Sequence, residues 1–403
     1  MESYDLHNLR VVEIANRVEA RRAIKEIGSD AGGVAWMTPK AVHRLLRVEN
    51  LSTRAAIILK QEMLSKGGEA AINREAGAFS VDVTDVLLMG TLRQYDQLCQ
   101  KLKMQPFGLA RLAQSIRDVL DNLEWRESRQ LRCRDLSLTI GERTLIVGIL
   151  NVTPDSFSDG GKFNQLDAAV AHAREMVSEG ADIIDIGGES TRPQTWDEAP
   201  LSAEDELSRI MPVLERLLQE IDVPISIDTY KAETARVALK AGAHIVNDVW
   251  GFQREPDLAK VSAGYDVPVI LMHNQQGTEY RDLMGDVIRS LRQSVKIAED
   301  AGVRPEQIII DPGIGFGKNT EQNLVVLRRM DELRSLGKPI LLGTSRKSVV
   351  GNTLNLPVDQ RLEGTAATVA WGIAKGADIV RVHDVREMSR VVRMVDAIMA
   401  VGG

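Results

Sequence analysis

Cysteine is nearly absent from this chain: of 403 residues only Cys99 and Cys133 carry a thiol. They are not spaced as CxxC, which excludes a disulfide-stapled scaffold, argues against a structural zinc centre and fits a reducing compartment. No stretch approaches the roughly 20 apolar residues needed to span a bilayer. The first residues, MESYDLHNLRVVEIANRVEARR, lack the apolar core of a secretory signal, so a cytoplasmic location without membrane contact is expected. Fifty basic against 57 acidic side chains give a net charge of −7 with no dense Lys/Arg block. A nucleic-acid partner is therefore not expected, and small molecules are. Ser-His-Asp, Cys-His and paired-carboxylate hydrolase arrangements are missing as well.

What is present is enough chain for two domains, with the 44% hydrophobic and 27% charged content of a soluble globular protein. The first part reads as a small α+β domain. Short strands such as VVEIA and VTDVLLMG mix with amphipathic helices expected around 41–48, 53–64, 93–102 and 109–123, and Gly28, Gly32-Gly33 and Gly67-Gly68 punctuate them as turns. The polar stretch EWRESRQ (124–130) sets the boundary, giving domains 1–125 and 126–403. Just after it, RCRDLSLTIGERTLIVG alternates apolar residues on both sides of Gly141-Glu142, a hairpin or hooked strand expected to plug the bottom of the second domain.

From Thr144 onward one pattern recurs eight times: a short β-branched apolar run, a polar residue at its end, then a helical stretch. The runs are TLIVGILN, ADIIDIGG, PISIDT, HIVNDV, VPVILMHN, IIIDPGIG, PILLGTSRK and DIVRVHD. Eight βα units in series predict an α/β fold, a TIM (β/α)8 barrel preceded by the smaller α+β domain, with the strand C-termini converging on one pocket. Two connections at that face are long, 152–166 and 190–202, as lids are.

The strand ends are chemically sorted. Asn151 offers a carbonyl oxygen to a hard cation or simply forms a turn. Asp185, Gly187-Gly188, Thr191 and Arg192 end the second run, with Arg192 as an anion grip. Arg381 and His383, two residues apart on a strand, point to the same side and suit phosphate oxygens. Asp228, Asn247 and Asp311 supply acceptors for a donor-rich, guanidine-like ring edge, with Lys347 across it. The competing readings pair Asp228 with Lys231 and make Asp311 a helix cap. Met272 and Phe316 either sandwich a flat ring or belong to the core. His273 reads as a hydrogen-bonded structural residue. Together these give acceptors in the depth and cations at the mouth, a pocket for substitution at a carbon between a ring and a departing diphosphate.

The blocks GILNVTPDSFSDGG, DIIDIGGESTRP, ISIDT, IVNDV, DPGIGFGKN, GTSRKS and RVHDV resemble those of dihydropteroate synthase, in order and across the whole barrel. The resemblance implies condensation of (7,8-dihydropterin-6-yl)methyl diphosphate with 4-aminobenzoate, giving 7,8-dihydropteroate and diphosphate in folate biosynthesis, by SN1-like loss of diphosphate. It implies that Asp228, Asn247, Asp311 and Lys347 bind the pterin, that Asp185, Met272, Phe316 and Gly343 line its slot, and that Asn151 ligates magnesium. Thr191, Arg192, Arg381 and His383 would hold the diphosphate, and Phe157, Arg192, Pro193, Lys347 and Ser348 would frame the aminobenzoate. Of these, Asp228, Lys347, Arg381 and His383 are the implied catalytic set. A homodimer and competition by sulfonamides are further implications. Gln194 departs from the Gly that the family often carries there, which bears on loop motion. The alternatives are a pterin-dependent methyltransferase, which has no use for a diphosphate grip, and a non-catalytic pterin-binding protein, in which damage at Asn151, Arg192, Lys347 or His383 would be expected.

Overall fold

The computed structural model describes residues 7–124, 128–152, 162–189 and 201–401. It divides into two compact units, Met1–Trp125 and Arg126–Val401.

In the first unit, strands β1 (His43–Ser52), β2 (Glu69–Ile72) and β3 (Val83–Thr91) form an antiparallel sheet in the order β1-β3-β2. The helix Leu92–Leu102 shows why the sequence folds so: a capping box of Thr91 and Gln94 starts it, and Leu92, Tyr95, Leu98, Cys99 and Leu102 recur at helical spacing and are buried. Three expectations fail here. The stretch 41–48 is not helical, because HRLLRVEN alternates and pairs with β3 as strand. The helix instead runs Ala31–Ala41, started by the Asp30 carboxylate accepting from Gly33 N, so Gly32-Gly33 lies inside a first turn and Pro39 inside the helix. Residues 11–15, VVEIA, form no strand.

The second unit begins with a hairpin, β4 (Arg129–Cys133) and β5 (Leu136–Ile140). Its turn is at Arg134-Asp135, where Arg134 takes a positive φ of 61°, and Gly141-Glu142 instead connects β5 to the next strand. Then come β6 (Leu145–Asn151), β7 (Ile183–Gly187), β8 (Ile225–Asp228), β9 (Ile245–Asp248), β10 (Val269–Met272), β11 (Ile308–Asp311), β12 (Leu341–Leu342) and β13 (Ile379–Val382). All pair in parallel in the order β11-β10-β9-β8-β7-β6-β13-β12, and an Ile310–Ile340 bridge joins the two ends into a barrel.

Alternation along these short strands decides what faces where. Ile184, Ile186, Ile227, Val246, Val269 and Leu271 point outward into the layer of helices. Val147, Ile183, Ile245, Ile270, Ile309, Leu341 and Ile379 point inward and form one cluster with Leu131, Cys133 and Ile140 of the hairpin, which closes the bottom. Two residues after six of these, on that same inward side, stand Asp185, Asn247, Met272, Asp311, Gly343 and Arg381, and Ile149 follows Val147. The sealed apolar layer thus puts the polar layer at the opposite end.

Candidate active site

The deepest polar group is a four-residue network. Arg381 donates from Nε to Asp185 Oδ2 (2.7 Å) and from Nη2 to Asp228 Oδ2 (2.9 Å), while Asn247 Nδ2 donates to the same Asp185 oxygen (3.0 Å). Parallel register explains the meeting, since Asp228 lies level with both Gly187 and Asn247. Gly187 leaves the space between them open: a Cβ there would lie 3.8 Å from Asn151 Oδ1 and 3.8 Å from Asp228 Oδ2. Two carboxylates share one guanidinium, and Asp185 Oδ1 and Asp228 Oδ1 are buried without a hydrogen-bond partner. Burial pushes the Asp228 carboxyl up to about 7, against the pull of Arg381 and reinforced by Asp185.

Across the mouth, Asp311 Oδ1 accepts from Gly313 N (2.7 Å), and burial raises this carboxyl while Lys347 opposes the rise. Lys347 Nζ donates to Ile314 O (2.6 Å) and lies 4.7 Å from the centre of the Phe316 ring. Burial lowers its pKa to about 8. Gly343 keeps this corner open, because a Cβ there would lie 3.7 Å from Lys347 Nζ and 3.9 Å from Asp311 Oδ2. Met272 and Phe316 join Val249 in one apolar cluster, flanked by Tyr230 and Trp250, so they line a continuous wall beside the polar network.

At the rim, His383 Nδ1 lies 3.0 Å from Ser345 Oγ, and Arg346 pairs with Asp384. Ser348 is exposed at the start of the helix Ser348–Leu354. Phe157, Thr191, Arg192, Pro193 and Gln194, with most of both long loops, lie outside the described residues. The sorting into floor and rim needs one revision: Arg381 turns two of its nitrogens toward the floor carboxylates. Spacing put it on the same side as His383 but carried no information about its partners.

The competing readings of two carboxylates do not hold. Lys231 reaches Glu189 and Glu206, not Asp228, and the helix after Asp311 is capped by Asn319. Sequence reasoning missed Lys318, which is buried on His273, and Asp248, which accepts from Trp250 N and Phe252 N and which burial lifts to about 6. A lysine in a Gly-rich loop looks solvated.

For a cation the donor set is sparse. Among the described residues no group of three or more His, Cys, Asp or Glu side chains is placed to hold a metal ion. Asn151 Oδ1 at the mouth is a neutral oxygen donor, which suits a hard ion that keeps waters and takes its remaining oxygens from a bound diphosphate.

Known proteins resemble this chain in sequence and fold. The model of the pterin binding enzymes matches residues 147–383. The dihydropteroate synthase of Clostridium beijerinckii is 56% identical over 261 residues, covering 64% of this chain and 96% of that one. A probable bifunctional folylpolyglutamate synthase/dihydropteroate synthase of Halobacterium salinarum is 42% identical over 389 residues, covering 94% of this chain, first unit included, and 46% of its own length. Among solved structures, the dihydropteroate synthase of Clostridium difficile in the presence of pteroic acid is 55% identical with a TM-score of 0.62, covering 64% of this chain and 98% of that one. With its barrel, its inward ring of strand-end residues and these relatives, the chain belongs to the pterin-binding enzymes, in their dihydropteroate synthase family.

Proposed function

We propose that the protein condenses (7,8-dihydropterin-6-yl)methyl diphosphate with 4-aminobenzoate to form 7,8-dihydropteroate and diphosphate, as a transferase of folate biosynthesis. The observation that carries the site assignment is the pair of buried, unpartnered oxygens on Asp185 and Asp228. Buried acceptors of this kind gain most from a ligand edge rich in N–H donors, which the aminopyrimidinone end of a pterin presents. Asn247 and Asp311 extend this recognition, Lys347 addresses the ring's oxygen or nitrogen acceptors, and Met272 and Phe316 contact its flat face.

The chemistry follows from charge placement. Loss of diphosphate leaves positive charge on the pterin methylene, and the carboxylates of Asp228 and Asp311, already held by the fold, favour that charge without reorganising. The departing anion is met by His383, by Thr191 and Arg192, and by whatever share of Arg381 its carboxylate partners leave. Magnesium held by Asn151 would neutralise diphosphate oxygens when bound. The amine of 4-aminobenzoate, framed by Phe157, Arg192, Pro193, Lys347 and Ser348, then attacks the carbon. No strong general base is required. Sulfonamides would compete at this last subsite.

Purified protein given magnesium, the pterin diphosphate and 4-aminobenzoate is expected to yield dihydropteroate by chromatography. Asp228→Asn and Lys347→Ala should each raise KM for the pterin diphosphate by about 10- to 100-fold, the worth of one lost charged hydrogen bond. No product under conditions where a known synthase turns over would overturn the reading.

The reading includes a cytoplasmic location and a homodimer. The buried free thiols of Cys99 and Cys133 support the first. Among the described residues no helix is long and apolar enough to cross a membrane. Exposed Leu324, Leu354 and Trp371 on the neighbouring helices Thr320–Arg328, Ser348–Leu354 and Leu362–Ala374 support the second. Light scattering should give twice the chain mass of 44.4 kDa, and Leu354→Glu should shift it toward one.

A further inference from the structure

Lys318 is an unusual lysine. It is 8% exposed, and its Nζ reaches three groups: His273 Nδ1 at 2.8 Å, Gly313 O at 3.0 Å and Phe316 O at 3.0 Å. Burial lowers its pKa to about 7, with Asp311 opposing the fall, and in the ammonium form present up to that pH three acceptors match the three protons. The two carbonyls can only accept. In that form the third proton goes to His273 Nδ1, which accepts it while the ring's own proton sits on Nε2. Burial and the Lys318 charge both lower the His273 pKa, to about 3, which fits a neutral ring.

The tripod spans a loop whose three glycines give the chain much freedom of its own. Gly313, Gly315 and Gly317 all take positive φ, of 67°, 84° and 57°. Phe316 N donates to Gly313 O (3.1 Å), and His273 N donates to Asp311 O (2.9 Å), so the loop and the end of β10 are stitched side by side. Two groups on this loop touch Lys347: the Ile314 carbonyl and the Phe316 ring. The same loop holds Asp311 through Gly313 N.

We infer that Lys318 is a positioning residue for the ring-binding slot: its ammonium, seated on neutral His273, locks the 311–318 loop so that Phe316, the Ile314 carbonyl and Asp311 are preorganised for the pterin. This gives His273 a defined task as a hydrogen-bond acceptor, and it rests on the reading of the site as a pterin slot. Lys318 need not touch substrate. Preorganisation of this kind acts on binding and orientation through supporting hydrogen bonds.

The test uses the full chain with pterin diphosphate and 4-aminobenzoate. Lys318→Met and Lys318→Ala are expected to lower kcat/KM for the pterin diphosphate by about 10- to 100-fold, as loss of a charged buried hydrogen-bond hub implies. Added ethylammonium should restore roughly tenfold to Lys318→Ala and nothing to Lys318→Met, whose side chain still fills the space. His273→Asn keeps an acceptor near the Nδ1 position and should stay within about threefold of wild type, while His273→Leu should fall as far as Lys318→Met. Combining Lys318→Met with His273→Leu should add little to either alone, because the two act as one unit. If the Lys318 variants fail to fold, the Asn and Leu variants at His273 decide between the outcomes. Lys318→Met with wild-type kinetics, or His273→Asn as impaired as His273→Leu, overturns the proposal alone. A wild-type protein without turnover overturns the functional reading and this proposal together.

Discussion

Arg381→Met is expected to lose about 3–5 kcal/mol of stability at neutral pH, together with more than about 100-fold in kcat/KM. Arg381 is the cation between Asp185 and Asp228, and each of these already has one buried oxygen unpartnered. Without it two carboxylates face each other in the barrel mouth. The dependence on pH separates charge from packing. The Asp228 carboxyl is raised in the folded protein to about 7 from its ordinary 3.8. A carboxyl raised by folding contributes stability below its unfolded pKa, and that contribution is lost as pH rises through the folded one. Removing Arg381 raises the folded pKa further. The deficit of the variant against wild type should therefore be flat below about pH 6 and grow as pH rises through about 7 and beyond. Denaturant midpoints from about pH 5 to about pH 9 measure it, and a deficit constant over that whole span would mean that lost packing, not charge, carries the effect. Arg381→Lys keeps the charge but not the two-armed geometry, and should recover part of the stability with little of the activity.

Gly313→Ala should be the most damaging single methyl group in the barrel, costing about 4 kcal/mol or more. The backbone there has φ of 67°, and an added Cβ would lie 1.9 Å from the His273 carbonyl oxygen, a backbone atom fixed by β10. Something must move, and whatever moves carries the Asp311 contact or the Lys318 seat. Gly277→Ala is the control: its φ is 75°, but nothing stands within 4 Å of the added atom. It should cost only the ~1–2 kcal/mol of a left-handed backbone. Thermal unfolding and calorimetry of pterin diphosphate binding read both. Equal losses at the two positions would show that the dihedral alone matters and that the close approach of loop and strand does not.

Much of the barrel and its mouth was legible because each strand writes its orientation into a two-residue period. An apolar residue that belongs in the bottom layer, such as Ile183 or Ile379, fixes the side of Asp185 or Arg381 two positions on. The eight repeats then bring those ends together without further information. Partnership was less legible. Arg381 finds Asp185 and Asp228 through register between strands distant in sequence, so local spacing could place it but not pair it. Lys318 was invisible for the opposite reason: its partners are close by, but the glycine turns that fold it inward give no hydrophobic signal. In the first unit, the Gly32-Gly33 pair and Pro39 weakened the helical pattern of Ala31–Ala41, and the window slid onto a strand.

The pairing of β6 with β13 has a consequence for how the barrel is made. Leu145 and Ile379 are partners at opposite ends of the barrel sequence, so this seam must wait for almost the entire chain and bears the entropy of the longest closure. Arg381 sits on the last strand and grips the second and third, just across that seam. Assembly of the recognition floor and completion of the fold are thus one late event, and a half-synthesised chain has no pocket to fill.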